Sequence, residues 1–483
     1  MRFRRYSRRW MEGLTAAALG LAVRTAILLL TPHALQTDPD GYRAVGENLI
    51  HHGVLGHGPY PTAVRPPLYP MVLAGCALFG DGARGVLGLI HVGMGMATVW
   101  LAWDLARQCR IGRWGAWIVG LLVACDPILL RASSLVMTET LAALLATGVL
   151  NLWCRWFRRP TWGWAALGGA VMGLGVLCRP EWLLWVVAGA CLLGISAARR
   201  SSPHAEAAVW PTRSNTRAIK LLRWTSVGAH AAAAGLVLAP WPIRNALQLG
   251  WPVLTTTHGG YTMLLANNPW LYEHLRQDGS LATWNPEPFH QAWAERVQKH
   301  FLLPPSEGDR KVLPPPDQTT PHRKATQTLG TPNIPPRRMA EVMADRWAYQ
   351  ESFRCISENP SLFGRAVLLR WGRLWQLAPS RIDGSQLKWG VYYGCLLWYA
   401  GEFALAIWGI WVVYGKRKRH PILRNTLLFV LVWAGLLTGV HAFYWTEMRM
   451  RSPLTAGVAL AVVSGLPRIF SPKDRSSLLS SPS

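Results

Sequence analysis

Apolar stretches of roughly 17–25 residues with few charges recur along this chain, each long enough to cross about 30 Å of hydrocarbon. Short segments rich in arginine separate them. Only 16% of the residues are charged and 51% are hydrophobic, whereas an average soluble domain carries about 25% charged residues. The pattern predicts an all-α integral membrane fold. Ten spans are expected, at about 13–31, 84–106, 114–131, 134–153, 162–178, 181–197, 224–241, 390–414, 425–442 and 453–468.

The formal net charge of +25 would point to nucleic acid if it formed one patch on a soluble fold. Here the Lys and Arg residues sit in short loops beside apolar stretches, which is the signature of loops retained on the cytoplasmic side. No nucleic-acid partner is expected. Seven of the eight cysteines lie in or beside apolar stretches, and no pair has metal-ligand spacing, so they are read as packing residues. The five arginines of Met1 to Arg9 resemble the start of a signal peptide. The apolar run after them is long and lacks a clear cleavage site, so it reads as a retained first helix.

Charge also fixes the expected topology. Leu68 to Phe79 is apolar but too short to cross, and it follows Pro66-Pro67. If it is re-entrant or interfacial, the clusters at Arg107–Arg113, Arg155–Arg159, Arg199–Arg223, Lys416–Arg419 and Arg468–Arg475 all fall in the cytoplasm with both termini. Had it crossed, the Arg107, Arg155 and Arg199 loops would face outward, against the positive-inside bias. Three regions result: a transmembrane core over 1–241 with a first outer loop at 32–83, an extracytoplasmic region over 242–388, and C-terminal spans with a cytoplasmic tail over 389–483. The middle region is polar and carries a proline-rich stretch at 303–336, for which a mobile insert is expected. Leu362 to Leu377, with Arg365, Arg370 and Arg373, reads as an interfacial amphipathic helix.

The first outer loop opens on Asp38-Pro39-Asp40. Asp before Pro signals a helix start, Gly53 suits the exit, and Tyr42, Val45 and Leu49 recur at helical spacing. Asp38 is then an N-cap and Asp40 a carboxylate favoured by the helix dipole. A carboxylate at the membrane edge can equally serve as a general base toward an acceptor hydroxyl. Asp38 and Asp40 are both candidates for that base, with Asp40 favoured because Asp38 is better placed to cap. Further along, the prolines of Arg65-Pro66-Pro67-Leu68-Tyr69-Pro70 restrict the backbone. Arg65 sits where its guanidinium can pair with a phosphate or anchor to headgroups.

Other residues carry paired readings. Glu139, near the outer end of a span, is either a helix-start carboxylate or a site residue. Asp126, before Pro127, is a helix-end residue or a site member. Arg244, Arg449 and Arg451 fall on the outer side, where arginine is disfavoured, and either bind a phosphate or are solvated. Glu181 is expected to pair with Arg179. Arg24 and Glu402 lie near mid-span and are expected to satisfy each other or polar neighbours. His91 reads as a satisfied core histidine, and the tryptophans as interfacial belts.

The ordered motifs resemble those of bacterial GT-C glycosyltransferases related to dolichyl-phosphate-mannose protein mannosyltransferases and lipid A aminoarabinose transferases. The resemblance rests on Asp-x-Asp-x-Tyr, Arg65-Pro66-Pro67-Leu68-Tyr69-Pro70, Phe79-Gly80, Arg131-x-x-Ser134 with Thr138-Glu139, Pro240 to Asn245, Gly259-Gly260, Asn267-Asn268-Pro269 and Arg449-x-Arg451-x-Pro453. It covers most of the chain outside the proline-rich insert. Glu181, after Arg179-Pro180, departs from the family's usual apolar residue.

The resemblance implies a GT-C architecture and a polyprenyl-phosphate-linked sugar as donor. It implies an acceptor lipid, glycan or protein of the cell envelope, and an active site on the outer face of the cytoplasmic membrane. An acidic residue of the first outer loop acts as base, with Tyr69 among the site candidates. A divalent cation, if one takes part, would be held by Asp40 and Glu139; no other cofactor is implied. The alternative is a polytopic transporter or lipid-linked-sugar flippase, which would use mid-membrane groups such as Arg24, His91 and Glu402.

Overall fold

The computed structural model describes residues 2–31, 33–198, 216–277, 279–281, 283–299, 336–379, 389–415 and 421–466. The expected proline-rich insert, up to residue 335, lies outside these residues. So do most of the basic segment after Arg199, the segment 416–420 and the tail beyond 466. Among the described residues the chain is helical apart from one two-residue ribbon, Gly56–His57 (β1) paired antiparallel with Tyr60–Pro61 (β2).

The first half comprises α1 (Arg2–Leu30), α2 (Tyr42–His52), α3 (Leu68–Ala77), α4 (Ala83–Gln108), α5 (Arg113–Cys125), α6 (Pro127–Ser133), α7 (Glu139–Arg158), α8 (Trp162–Cys178) and α9 (Trp182–Ala198). Then follow α10 (Thr216–Leu238), α11 (Pro240–Leu249), α12 (Gly259–Ala266), α13 (Pro269–Arg276), α14 (Glu287–Val297), α15 (Pro336–Glu358) and α16 (Pro360–Leu374). The chain closes with α17 (Trp389–Gly415), α18 (Pro421–Val440), a 3-10 turn (Met448–Leu454) and α19 (Thr455–Ser464).

Six helices among the described residues are long and apolar enough to cross a membrane: Met11–Leu30, Gly80–Gln108, Glu139–Arg158, Trp224–Leu249, Trp389–Gly415 and Pro421–Val440. The stretch expected to cross as 114–131 is two helices, α5 and α6, bent by 50°. Pro127 lacks an N–H to continue the helix, and the Asp126 carboxylate instead accepts the Leu129 amide at 2.8 Å to start a new one. The span expected from 134 begins at Glu139. The last expected span is a 3-10 turn followed by the ten residues of α19. α8 and α9, at 17 residues each, are apolar but shorter than the six.

α3 has 10 residues and is therefore about 15 Å long, half the hydrocarbon thickness. It packs against α2 where Gly46 lets the Pro70 carbonyl approach; a Cβ there would lie 2.7 Å from that oxygen. Tyr42 and Val45 face into this contact and are buried. Tyr42 and Val45 of the stripe on α2 thus form a packing face against α3. α2 also starts later than Asp38-Pro39 suggests, because Gly41 adopts φ +69° and breaks the turn.

The tryptophans are not all interfacial. Trp182, Trp185 and Trp433 are buried, with Trp185 and Trp433 centroids 4.4 Å apart, and Trp153 lies 4.3 Å from Phe429. Facing helices place these rings together at the centre of the bundle, where shape complementarity drives packing. The region after Pro242 also has a core of its own, built on Leu264, Leu271, Tyr272, Phe289, Ala348 and Ala366. Its polar composition conceals this because the apolar residues are spread over α12, α13, α14, α15 and α16, none of them a long apolar run.

Candidate active site

A cavity of about 1450 Å³ opens where the first loop, the start of α7, the α8–α9 junction, the end of α18 and the 3-10 turn meet α12, α14 and α15. Asp40, Arg65, Glu139 and Arg449 line it together. Arg449 is at the centre of their charge network. Its Nη1 donates to Glu139 Oε1 at 3.0 Å and to Asp40 Oδ2 at 3.5 Å, and its Nε donates to Glu447 Oε2 at 2.6 Å. Arg65 Nη2 approaches Asp40 Oδ1 at 3.8 Å. Arg179 Nη1 lies 3.9 Å from Glu139 Oε1, and its Nε pairs with Glu181 at 2.6 Å. Charges of opposite sign therefore alternate along Arg65, Asp40, Arg449, Glu139, Arg179 and Glu181.

The carboxylates differ in access. The Glu139 side chain is 2% exposed, whereas that of Asp40 is 27% exposed. Glu139 Oε2 is buried without a hydrogen-bond partner among the described residues. Burial alone would raise Glu447, but the Arg449, Arg373 and Arg131 charges outweigh it and hold this carboxyl below its usual range. Burial works against the Arg449 charge, yet Glu139, Glu447 and Asp40 together push its pKa up.

Asp38 is turned away from the cavity network. Its carboxylate accepts the Tyr42 amide at 3.1 Å and the Arg43 amide at 2.7 Å, capping α2 across the Gly41 turn. Tyr69 is buried, its hydroxyl 3.0 Å from His91 Nε2, while His91 Nδ1 lies 3.1 Å from the Ser133 carbonyl. Its ring packs edge-on against Tyr42, so Tyr69 supports the cavity wall from behind.

Asp126 is buried below, where Tyr399 donates to it at 3.2 Å; it shares a small pocket with Glu402 and Arg451. Arg24 does not reach Glu402 as an ion-pair partner and donates to the Val123 carbonyl at 3.3 Å.

Arg244 and Arg451 do not line the cavity. Arg244 donates to the carbonyls of Thr62 at 2.8 Å and Leu55 at 2.7 Å, clamping the loop before Arg65. Arg451 donates to the carbonyls of Leu374 at 2.9 Å and Gln376 at 2.8 Å, with Tyr399 against its plane. The arginines of α16 are likewise fasteners. Arg370 is buried and donates to the carbonyls of Ala266 and Ala442, each at 2.6 Å.

Among the described residues no group of three or more His, Cys, Asp or Glu is placed to hold a metal ion. The Arg449 guanidinium occupies the position between the Asp40 and Glu139 carboxylates that a divalent cation would need.

Sequence reasoning missed the wall opposite. Glu341 and Asp345, one turn apart on α15, line the cavity with His258, Tyr261, Trp293 and Tyr349. Glu341 accepts from Thr62 Oγ1 at 2.6 Å, Ala63 N at 2.8 Å and the Thr257 hydroxyl. Asp345 accepts the Gly260 amide at 2.7 Å. Burial, with Glu341 nearby, raises its carboxyl to about 6. The available signal was the four-residue spacing of two acids in a helical segment.

Residues 64–210 match the family model described as dolichyl-phosphate-mannose-protein mannosyltransferase. The matched segment includes Arg65, Glu139, Arg179 and Glu181. No curated protein matches the chain.

Two solved structures are similar to the chain at low scores. The Archaeoglobus fulgidus oligosaccharyltransferase, in complex with zinc and sulfate, has a TM-score of 0.48 at 14% identity, over 94% of this chain and 48% of that one. ArnT from Cupriavidus metallidurans, in the apo state, has a TM-score of 0.34 at 16% identity, over 96% of this chain and 78% of that one. The chain thus spans about half the length of the archaeal enzyme.

Proposed function

We propose that the chain is a membrane glycosyltransferase that moves a sugar from a polyprenyl-phosphate donor to an acceptor hydroxyl on the extracytoplasmic face. One observation carries the reading: Asp40 is an accessible carboxylate on the cavity wall, between Arg449 at 3.5 Å and Arg65 at 3.8 Å. A base must reach the acceptor proton, and Asp40 has the access that the buried Glu139 lacks. The arginines beside it are suited to a phosphate, which a guanidinium binds through two parallel hydrogen bonds.

In this mechanism the acceptor oxygen attacks the anomeric carbon from the face opposite the phosphate. Asp40 takes the hydroxyl proton as the new C–O bond forms. The bond from the anomeric carbon to the phosphate oxygen breaks, its electron pair leaves with the lipid phosphate, and configuration inverts. Arg65 and Arg449 stabilise the departing charge. Glu139 and Glu447 hold the Arg449 guanidinium in place and act as positioning residues.

The test is mass spectrometry of envelope glycolipids and glycoproteins from a strain lacking the chain, complemented with wild type, Asp38→Asn or Asp40→Asn. A missing sugar restored by wild type and Asp38→Asn, but not by Asp40→Asn, supports the reading. Full restoration by Asp40→Asn overturns the assignment of the base. An unchanged profile with accumulated lipid-linked intermediate would favour the flippase.

A further inference from the structure

The cavity has two chemically distinct walls. Its three arginines among the described residues, Arg65, Arg179 and Arg449, all belong to the network around Asp40 and Glu139. The wall built by α12, α14 and α15 offers aromatic faces and carboxylates. Tyr261 is its centre: His258 stacks on it at 4.8 Å and 27°, and Trp293 lies 5.3 Å away at 58°. The Tyr261 hydroxyl is 2.8 Å from His290 Nδ1, which fixes both rings. Burial, helped by the Arg65 charge, lowers His258 to about 3 and keeps this ring neutral.

The two carboxylates of this wall have different duties. Glu341 is occupied by Thr62, Ala63 and Thr257 and holds the loop before Arg65 against α15. Asp345 has a single hydrogen bond among the described residues, from the Gly260 amide. Its remaining acceptor capacity is available at the cavity.

We propose that Tyr261, Trp293, His290 and Asp345 form a subsite for an uncharged saccharide, which presents the acceptor hydroxyl to the opposite wall. This inference rests on the glycosyltransferase reading. The apolar C–H face of a pyranose matches a ring such as Tyr261 or Trp293, while its hydroxyls donate to a carboxylate such as Asp345. The carboxylates of Asp345 and Glu341 disfavour a phosphorylated or uronic-acid acceptor, because the arginines near them are engaged away from the cavity: Arg346 lies over the Trp251 ring at 4.0 Å, and Arg244 donates to the Thr62 and Leu55 carbonyls. A short peptide hydroxyl would leave the aromatic faces unused.

Binding without catalysis tests the inference. Full-length tagged protein in detergent is applied to a microarray of neutral oligosaccharides, phosphorylated and uronic-acid saccharides, and Ser/Thr peptides, with no lipid donor. Retention on neutral saccharides is expected, falling about tenfold in Trp293→Ala and Asp345→Ala. Trp293→Phe, which keeps a ring face, is expected to retain binding and so guards against a mere folding defect. Retention only on anionic saccharides or peptides, or unaltered retention in both alanine variants, overturns the subsite.

Failure of the two readings is separable. Saccharide binding by wild type and Asp40→Asn without any detectable sugar transfer defeats the catalytic reading alone. Loss of transfer in Asp40→Asn, with saccharide binding and acceptor KM unchanged in Trp293→Ala, defeats the subsite alone.

Discussion

Arg449 Nη1 lies 3.5 Å from Asp40 Oδ2, although 409 residues separate the two along the chain. The contact joins the first loop to the turn before the final helix. It places one carboxylate of the Asp38-Pro39-Asp40 motif at the cavity while the other caps α2. Exchange of the two should therefore have unlike effects. Asp40→Asn is expected to lower transfer by about 10²–10⁴-fold, the usual contribution of a general base, with little change in thermal stability. Asp38→Ala is expected to keep transfer and lose about 0.5–2 kcal/mol of stability as a lost helix cap. Parallel rate and thermal-unfolding measurements on purified protein check both.

How far the sequence reached follows from such pairs. Hydropathy and charge were enough to group Asp40, Arg65, Glu139 and Arg449, because each borders an apolar stretch, and the four line one cavity. They could not separate Arg449 from Arg244 and Arg451. All three are arginines beside a span, and only packing decides that Arg244 meets the Thr62 carbonyl and Arg451 the Leu374 carbonyl. The spacing of Asp345 from Glu341 could be read, but its place at the cavity could not, for a related reason. Its hydrogen-bond partner is Gly260, 85 residues earlier, and no local periodicity encodes that meeting. The α5–α6 bend was written in Asp126-Pro127, but the apolar run around it concealed the break.

Glu139 tests the network beside the base. Its side chain is 2% exposed and bonded to Arg449 at 3.0 Å. Glu139→Gln removes the charge between Arg449 and Arg179 while keeping the side chain's shape. A loss on the order of 3 kcal/mol is expected, at the low end for a broken buried pair because Arg449 keeps Glu447. Transfer should fall as well, through a misplaced Arg449. A lowered Tm that accompanies the lowered rate distinguishes this residue from Asp40.

The pH dependence of stability should carry the signature of Asp345. Its carboxyl is raised to about 6 by burial and by Glu341, against about 3.9 in an unfolded chain. Between these values the folded state binds more protons than the unfolded one, so this residue's contribution to stability falls as pH rises from about 4 through 6. Asp345→Asn, which can still accept the Gly260 amide, should flatten that part of the profile. An unaltered slope in thermal unfolding across this window would contradict the assignment.

The Gly259-Gly260 pair lets α12 and α15 approach, and its two members should respond differently to a methyl group. A Cβ on Gly259 would collide with the Tyr349 hydroxyl, whereas one on Gly260 would collide with the Asp345 backbone carbonyl. The first clash is with the end of a side chain and the second is with a helix backbone that cannot step aside. Gly259→Ala should cost about 1–3 kcal/mol as an overpacked contact, and Tyr349→Phe should recover most of it by removing the obstructing oxygen. Gly260→Ala should be as costly or more so, with no rescue by Tyr349→Phe. It should also weaken saccharide retention, because the displaced backbone carries Asp345. A double-mutant comparison of Tm values and microarray binding checks the pair: equal rescue of both glycine variants would mean that the α12–α15 contact is looser than this packing requires.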